Sequence, residues 1–209
     1  KKYKKILKIN GLDGVYYYFK NKNFKNDKIE NFIDKKKYNL GLEIQKKVKN
    51  KILYGPYKGT KIINSFHWSK IDAVSKYLGT YELQIQKKII ELSKKYKLKT
   101  FVDIGAAEGF HIISLISKKI FSNGYAYEVE KKSRKILVSN AKVNKVYNKI
   151  KFFENANLEK LKKDLNRVDL KKTLFLIDIE GDEFKLLTKS FCNYFSNSFF
   201  IIELHEFNI

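Results

Sequence analysis

Residues 79–209 predict an α/β fold, a doubly wound Rossmann-like sheet that is mostly parallel and covered by helices on both faces. Two observations predict it. Five short β-rich runs alternate with helical patterns of about 10–15 residues, and strands joined through such helices pair in parallel. Crossovers of that kind are right-handed, which winds successive helices onto both sides of the sheet.

The elements follow in order. YELQIQKKIIELSKKY, from Tyr81 to Tyr96, spaces Leu83, Ile89, Ile90 and Leu92 as one apolar helical face. TFVDI reads as the first strand. EGFHIISLISKKI follows as a helix carrying Ile112, Ile113, Leu115, Ile116 and Ile120. GYAYEV is strand and KKSRKILVSNAKVN helix; KIKFFENA is strand and LEKLKKDLNRV helix; TLFLIDI is strand and EFKLLTKSFCNYF a single helix. SFFIIEL is the fifth strand, with Phe200 and Ile202 on one face and Phe199 and Ile201 on the other. As the outer edge of the sheet it is expected to favour self-association.

Residues 1–78 read as an N-terminal helical and loop appendage to the domain at 79–209. Two helices are expected there, around Tyr3–Phe19 and Ile29–Leu53, followed by the loop YGPYKGTK with the only proline. No internal repeat is apparent. The 209-residue sequence contains no Met, so its native N-terminus is expected to lie upstream. Cys192 is the only cysteine, which excludes an internal disulfide and fits a reducing, cytoplasmic setting. The apolar runs are too short for a membrane span.

Forty-four Lys+Arg against 22 Asp+Glu give a formal net charge of +22. Only Arg134 and Arg167 are arginines, and arginine is the residue that grips phosphate and guanine bidentately. Lysine accompanied by abundant Asn, Ile, Phe and Tyr reads as composition bias on solvated faces, so no specific nucleic-acid partner is expected.

In an open α/β sheet, ligands sit outside the carboxyl ends of the strands. The first strand ends in Asp103, Gly105, Ala106, Ala107, Glu108 and Gly109, with Gly105 suited to a tight turn and Gly109 to close helix packing. Glu128 follows the second strand, 128 − 105 = 23 residues beyond the first glycine, a spacing at which a carboxylate grips a ribose diol. Asn155 and Ala156 follow the third, Asp178, Glu180, Gly181, Asp182 and Glu183 the fourth, and Glu203, His205 and Glu206 the fifth. A dinucleotide site wants a middle glycine where this chain has Ala107, and Glu108 sits where a pyrophosphate would arrive. Two acids suit a ligand with a cationic centre, an amino-acid part and a ribose; S-adenosylmethionine is such a ligand.

FVDIGAAEG, YAYEVEKKSRKILVSNAKVN, LFLIDIEGDEFKLL and IIELHEF, with GPYKG and LGTYE upstream, resemble the successive motifs of FkbM-type class I S-adenosylmethionine-dependent methyltransferases. The resemblance runs from about Gly55 to the end. It implies methyl transfer to an oxygen of a saccharide, lipid-linked sugar or secondary metabolite, with a small-molecule or saccharide acceptor as partner. By the same resemblance Asp103, Gly105, Ala106 and Gly109 would surround the methionine part of S-adenosylmethionine. Glu128 would hold the ribose, Asn155 and Ala156 would lie by the adenine, and Asp178 would face the methyl group. Class I enzymes usually continue past the fifth strand with two more, so the domain is expected to be C-terminally incomplete at Ile209.

A hydroxyl acceptor needs a base or a metal ion. Asp178 and His205 are the catalytic candidates, with Glu180 and Glu203 beside them. The same letters could hold a divalent metal, but a solvated carboxylate cluster reads identically, and no metal ligand is assigned. His111 is expected to be structural or near the cofactor, and His67 beside Trp68 to pack locally. Tyr81 either faces the sulfonium or belongs to a helix start capped by Thr80, with Glu82 in the first turn. The competing readings are an RNA or protein methyltransferase, favoured by charge alone, and a lysine-rich binding module with a degenerate cofactor pocket.

Overall fold

The computed structural model describes residues 6–7, 16–17, 27–63 and 72–205. Contacts divide the chain into residues 1–35 and 36–209. In the first unit, β1 (Ile6–Leu7) and β2 (Tyr16–Tyr17) form an antiparallel pair where the sequence suggested a helix. Aromatic Tyr16 and Tyr17 favour an extended chain, and Asn10-Gly11 and Asp13-Gly14 between the strands are turn-forming dipeptides. The helix α1 (Asp27–Lys47) begins two residues earlier and ends six residues sooner than expected. It stops before Lys49 and Asn50, both at positive φ.

The larger unit carries α2 (Ala73–Leu78), α3 (Leu83–Tyr96) and a five-stranded parallel sheet. Its strands are β3 (Thr100–Ile104), β4 (Asn123–Tyr127), β5 (Ile150–Phe153), β6 (Thr173–Ile177) and β7 (Phe199–Ile202), in the order β5-β4-β3-β6-β7. Helices α4 (Phe110–Ser117), α5 (Lys131–Val143) and α6 (Leu158–Asp164) join the first four strands. This is the doubly wound Rossmann-like arrangement, all five strand positions agreeing with the sequence to within two or three residues at their ends.

The pleat sorts the core into two layers. Phe101, Ala126, Leu174 and Leu176 pack with Ile112, Ile113, Leu137 and Ile89 on one side. Val102, Ile104, Tyr127, Phe175 and Ile177 pack with Leu161, Phe191 and Phe195 on the other. At β7, Phe199 and Ile201 join the first layer and Phe200 the second, as the alternation requires. Ile52, Tyr57 and Ile62 belong to the first layer too, so the loop YGPYKGTK packs in the same body as the sheet. The His67–Trp68 pair lies outside the described residues.

Between β6 and β7 the expected single helix is two, α7 (Glu183–Leu186) and α8 (Lys189–Tyr194). Thr188 makes the break: its backbone is extended and its side chain accepts a hydrogen bond from the Phe191 N–H. A threonine that caps the following turn competes with continuing the previous helix.

The strand order reverses between β3 and β6, and there the backbones nearly touch. The Asp178 N–H donates to the Ile104 carbonyl at 3.0 Å. A Cβ on Gly105, at φ 90°, would overlap the Asp178 carbonyl oxygen. Gly105→Ala is therefore expected to lose at least about 1–3 kcal/mol from the disfavoured φ, with the overlap adding to it. Chemical denaturation measures this, and an unchanged midpoint would show that the two loops can separate.

Candidate functional site

A cleft of about 1020 Å³ opens at this reversal, outside the carboxyl ends of the strands. Asp103, Gly105 and Ala106 line it from β3, Glu128 from β4, Asn155 and Ala156 from β5, and Asp178 and Glu180 from β6. Gly109 is set back from it. Its φ of 86° begins α4, and a Cβ there would strike Leu137 of α5, so it governs helix packing.

The Glu128 carboxylate is fixed by two backbone donors, the Ala107 N–H at 2.8 Å and the Glu130 N–H at 2.7 Å. The first bond holds the turn after β3 against the end of β4, with Ala107 at φ 43° where a glycine was missed in the sequence. Arg134 closes the other side: it donates to the Glu128 and Val129 carbonyls at 2.7 Å each and reaches Glu154 at 3.2 Å. Asn155 accepts from Lys160 at 2.8 Å.

Asp103 is buried at the floor. Burial pushes its carboxyl up to about 7, opposed by His111 and reinforced by the Asp178 charge. Burial also pushes Asp178 up, to about 6, helped by the charges of Glu203, Glu180 and Glu82. Its Oδ1 is buried without a hydrogen-bond partner.

His205 stands beside Asp178, its Nε2 3.6 Å from Asp178 Oδ1 and 3.6 Å from Glu180 Oε2. Its Nδ1 lies 3.0 Å from Oε1 of Glu183, which is completely buried. Although burial raises the Glu183 carboxyl, hydrogen bonds from the Ile179 N–H, His205 and the Gly181 N–H prevail and hold it below the usual range. The bond to Glu183 in turn raises the His205 imidazole. Glu183, read in the sequence only as one of the acids after the fourth strand, is thus the residue whose role the sequence did not show. Its signal was local: Glu180 and Gly181 both take positive φ, and the carboxylate that follows satisfies the donors of that turn. Asp178, Glu183 and His205 bring one ligand atom each within 4.8 Å of one another. Glu183 Oε1 also accepts from the Ile179 and Gly181 N–H groups, so the same carboxylate serves the turn.

The α2–α3 side differs from expectation. Thr80 does not cap α3: Glu82 occupies that position, and the Thr80 hydroxyl turns to the Ser75 carbonyl at 3.4 Å. The cation over the Tyr81 ring is Lys76, at 5.0 Å. Lys76 itself is buried, 3.5 Å from Glu108. His111 bridges Tyr57 (3.0 Å) and Glu82 (2.8 Å), so it is both structural and at the cleft wall.

Among the described residues, ten that line the cleft are acids, namely Asp72, Glu82, Asp103, Glu108, Glu128, Glu154, Asp178, Glu180, Asp182 and Glu203, against two lysines, Lys76 and Lys185. Nearly half of the 22 acidic residues of a +22 chain therefore face one cavity.

No family model matches the chain, and no curated protein matches it. Solved structures do. An uncharacterized protein from Listeria monocytogenes serotype 4b aligns with a TM-score of 0.44 and 12% identity, over 57% of this chain and 50% of that one. The O-methyltransferase TomG from Streptomyces achromogenes, involved in tomaymycin synthesis and bound to S-adenosylmethionine, aligns at 0.42 and 13%, over 56% and 50%. An O-methyltransferase from Bacillus cereus in complex with S-adenosylhomocysteine aligns at 0.40 and 19%, over 47% and 46%. The chain spans about half the length of these structures. No helix among the described residues is long and apolar enough to cross a membrane.

Folding raises the Asp103 carboxyl from 3.8 to about 7, so between these values the folded protein holds a proton that the unfolded chain has lost. The stability contributed at Asp103 is present at low pH and is lost as pH rises through about 7. Urea unfolding should show wild-type stability falling relative to Asp103→Asn as pH is raised from about 4 to about 7. Parallel curves would mean that Asp103 titrates normally.

Proposed function

We propose that the chain binds S-adenosylmethionine in this cleft and methylates a hydroxyl oxygen of a small-molecule or saccharide acceptor. The observation that carries the reading is the acid-lined cleft in a strongly basic chain. Ten acids against two lysines among the described lining residues favour a cationic ligand and disfavour a dinucleotide pyrophosphate or an RNA backbone. The FkbM-type resemblance of LIDIEGDEF and IIELHEF agrees with it.

Glu128, immobilised by its two backbone bonds, has acceptor capacity left for a ribose diol. The backbone of Gly105 and Ala106 permits close approach at the turn, and Asn155 and Ala156 form the wall for the base. When bound, the cofactor supplies an electrophilic methyl group on a sulfonium and leaves as a neutral thioether. The residues must then hold the acceptor in line and take its proton.

His205 is the base. Its Nδ1–H is given to Glu183, which leaves the Nε2 lone pair for the acceptor hydroxyl on the Asp178 and Glu180 side. As the acceptor hydroxyl takes up that methyl group, its proton would pass to Nε2. Asp178 and Glu180 then face an imidazolium and stabilise it. The charges of Asp178, Glu180 and Glu183 all favour that form.

Glu128→Ala is expected to weaken S-adenosylhomocysteine binding by about 1.5–3 kcal/mol in calorimetry. Equal affinity would remove Glu128 from the site. His205→Asn should slow methyl transfer by roughly 10²–10⁴ while leaving S-adenosylhomocysteine affinity unchanged. Mass spectrometry of saccharide and metabolite acceptors after incubation reads both the reaction and its loss, and full activity in His205→Asn would exclude the imidazole as base.

A further inference from the structure

We propose that Glu82 and Lys76 form a zwitterion subsite in the cleft: Glu82 accepts the α-ammonium group of the cofactor's amino-acid half, and Lys76 donates to its α-carboxylate. The proposal rests on the methyl-donor reading above and assigns residues that the strand-end motifs do not contain.

Glu82 sits at φ 45°, ψ 41°, a conformation that costs a non-glycine residue free energy. At the start of α3 a carboxylate would ordinarily cap the helix, yet its side chain makes no cap bond. It turns instead into the cleft wall, where His111 Nε2 holds Oε2 at 2.8 Å. The other ring nitrogen of His111 faces the Tyr57 hydroxyl at 3.0 Å. A buried phenol keeps its proton and donates it to Nδ1, so Nε2–H points at Glu82. This chain orders a carboxylate without neutralising it. Burial raises Glu82, but the bonds from His111 and Tyr81 and the charge of Lys76 outweigh burial and hold it below the usual carboxylate range.

Lys76 supplies the opposite charge. Its side chain is 5% exposed, and its ammonium lies 3.5 Å from Glu108 and 5.0 Å from the centre of the Tyr81 ring. An ammonium has three N–H donors, and a contact of 3.5 Å is at the outer limit of a hydrogen bond. A buried lysine so loosely held gains from a second anion. Glu82 and Lys76 interact electrostatically and line the same cavity beside Asp103. An amino-acid head group presents the ammonium and carboxylate that complement them, and no other part of a nucleoside thioether does.

Two probes separate this subsite from the rest of the cleft. S-adenosylhomocysteine carries the amino-acid head, and 5′-methylthioadenosine carries the same nucleoside and sulfur without it. Glu82→Gln and Lys76→Met should each weaken S-adenosylhomocysteine roughly tenfold to a hundredfold by calorimetry. The affinity for methylthioadenosine should stay within about twofold of wild type in both. Unchanged S-adenosylhomocysteine binding in both variants, or equal losses for the two probes, would overturn the subsite. If neither probe binds wild type, the methyl-donor reading fails instead, and the subsite with it. Glu82→Gln preserves shape and the His111 bond, so it decides the matter even if Lys76→Met does not fold.

Discussion

The close passage of Gly105 against the Asp178 carbonyl is the constraint on which the rest of the site depends. With no side chain at Gly105, β3 and β6 remain paired to their ends, up to the bond from the Asp178 N–H to the Ile104 carbonyl. The connections then diverge, because β3 leads towards β4 and β6 towards β7. A crevice at such a reversal is a consequence of connectivity. The sequence fills its rim with acids.

Collecting so many acids is unfavourable unless they are anchored, and the buried ones, with the adjoining Glu183, differ in how they are held. Glu128 and Glu183 take backbone N–H donors, Glu82 takes His111, and Glu108 lies against Lys76. These carboxylates have fixed positions, and Glu82 and Glu183 are held below the usual carboxylate range. Asp103 and Asp178 are anchored less well and are pushed up to about 7 and about 6. The cleft therefore combines fixed negative charge with two carboxyls that change protonation near neutrality. Binding a cation would lower both, since an added positive charge favours the ionised form.

The sheet was legible because its signals are local and repeated. TFVDI and TLFLI are apolar on both faces, and each strand end carries its acid or glycine within the same short stretch. That alone located Asp103, Glu128 and Asp178 along one edge. What escaped was non-local or masked by composition. Lys76 is one lysine among many in the sequence, and only the fold shows that it is buried. The Glu183–His205 contact joins residues 22 apart through two intervening elements. Thr188 was readable as a cap, but an apolar pattern running from Phe184 to Phe195 outweighed it. At the N-terminus, turn dipeptides and a tyrosine run carried the β signal, against the helix expected around Tyr3–Phe19.

Sorting of charge also bears on what can react here. With ten acids drawn into the cleft, the lysine excess is left for the remaining surface, where it can attract anions over long range. On the proposed reading, the reacting end of an acceptor would meet a different field. Beside His205 it would approach Asp178 and Glu180, with Glu203 close enough to raise Asp178. A phosphate or carboxylate adjacent to the attacking oxygen would face like charges at short range in a partly desolvated cavity, where repulsion is least screened. A neutral sugar hydroxyl carries no such cost and can donate to those same oxygens. If the proposed methyl transfer holds, an acceptor anionic at one end and neutral at the other would be drawn by its charged end and would react at its neutral one.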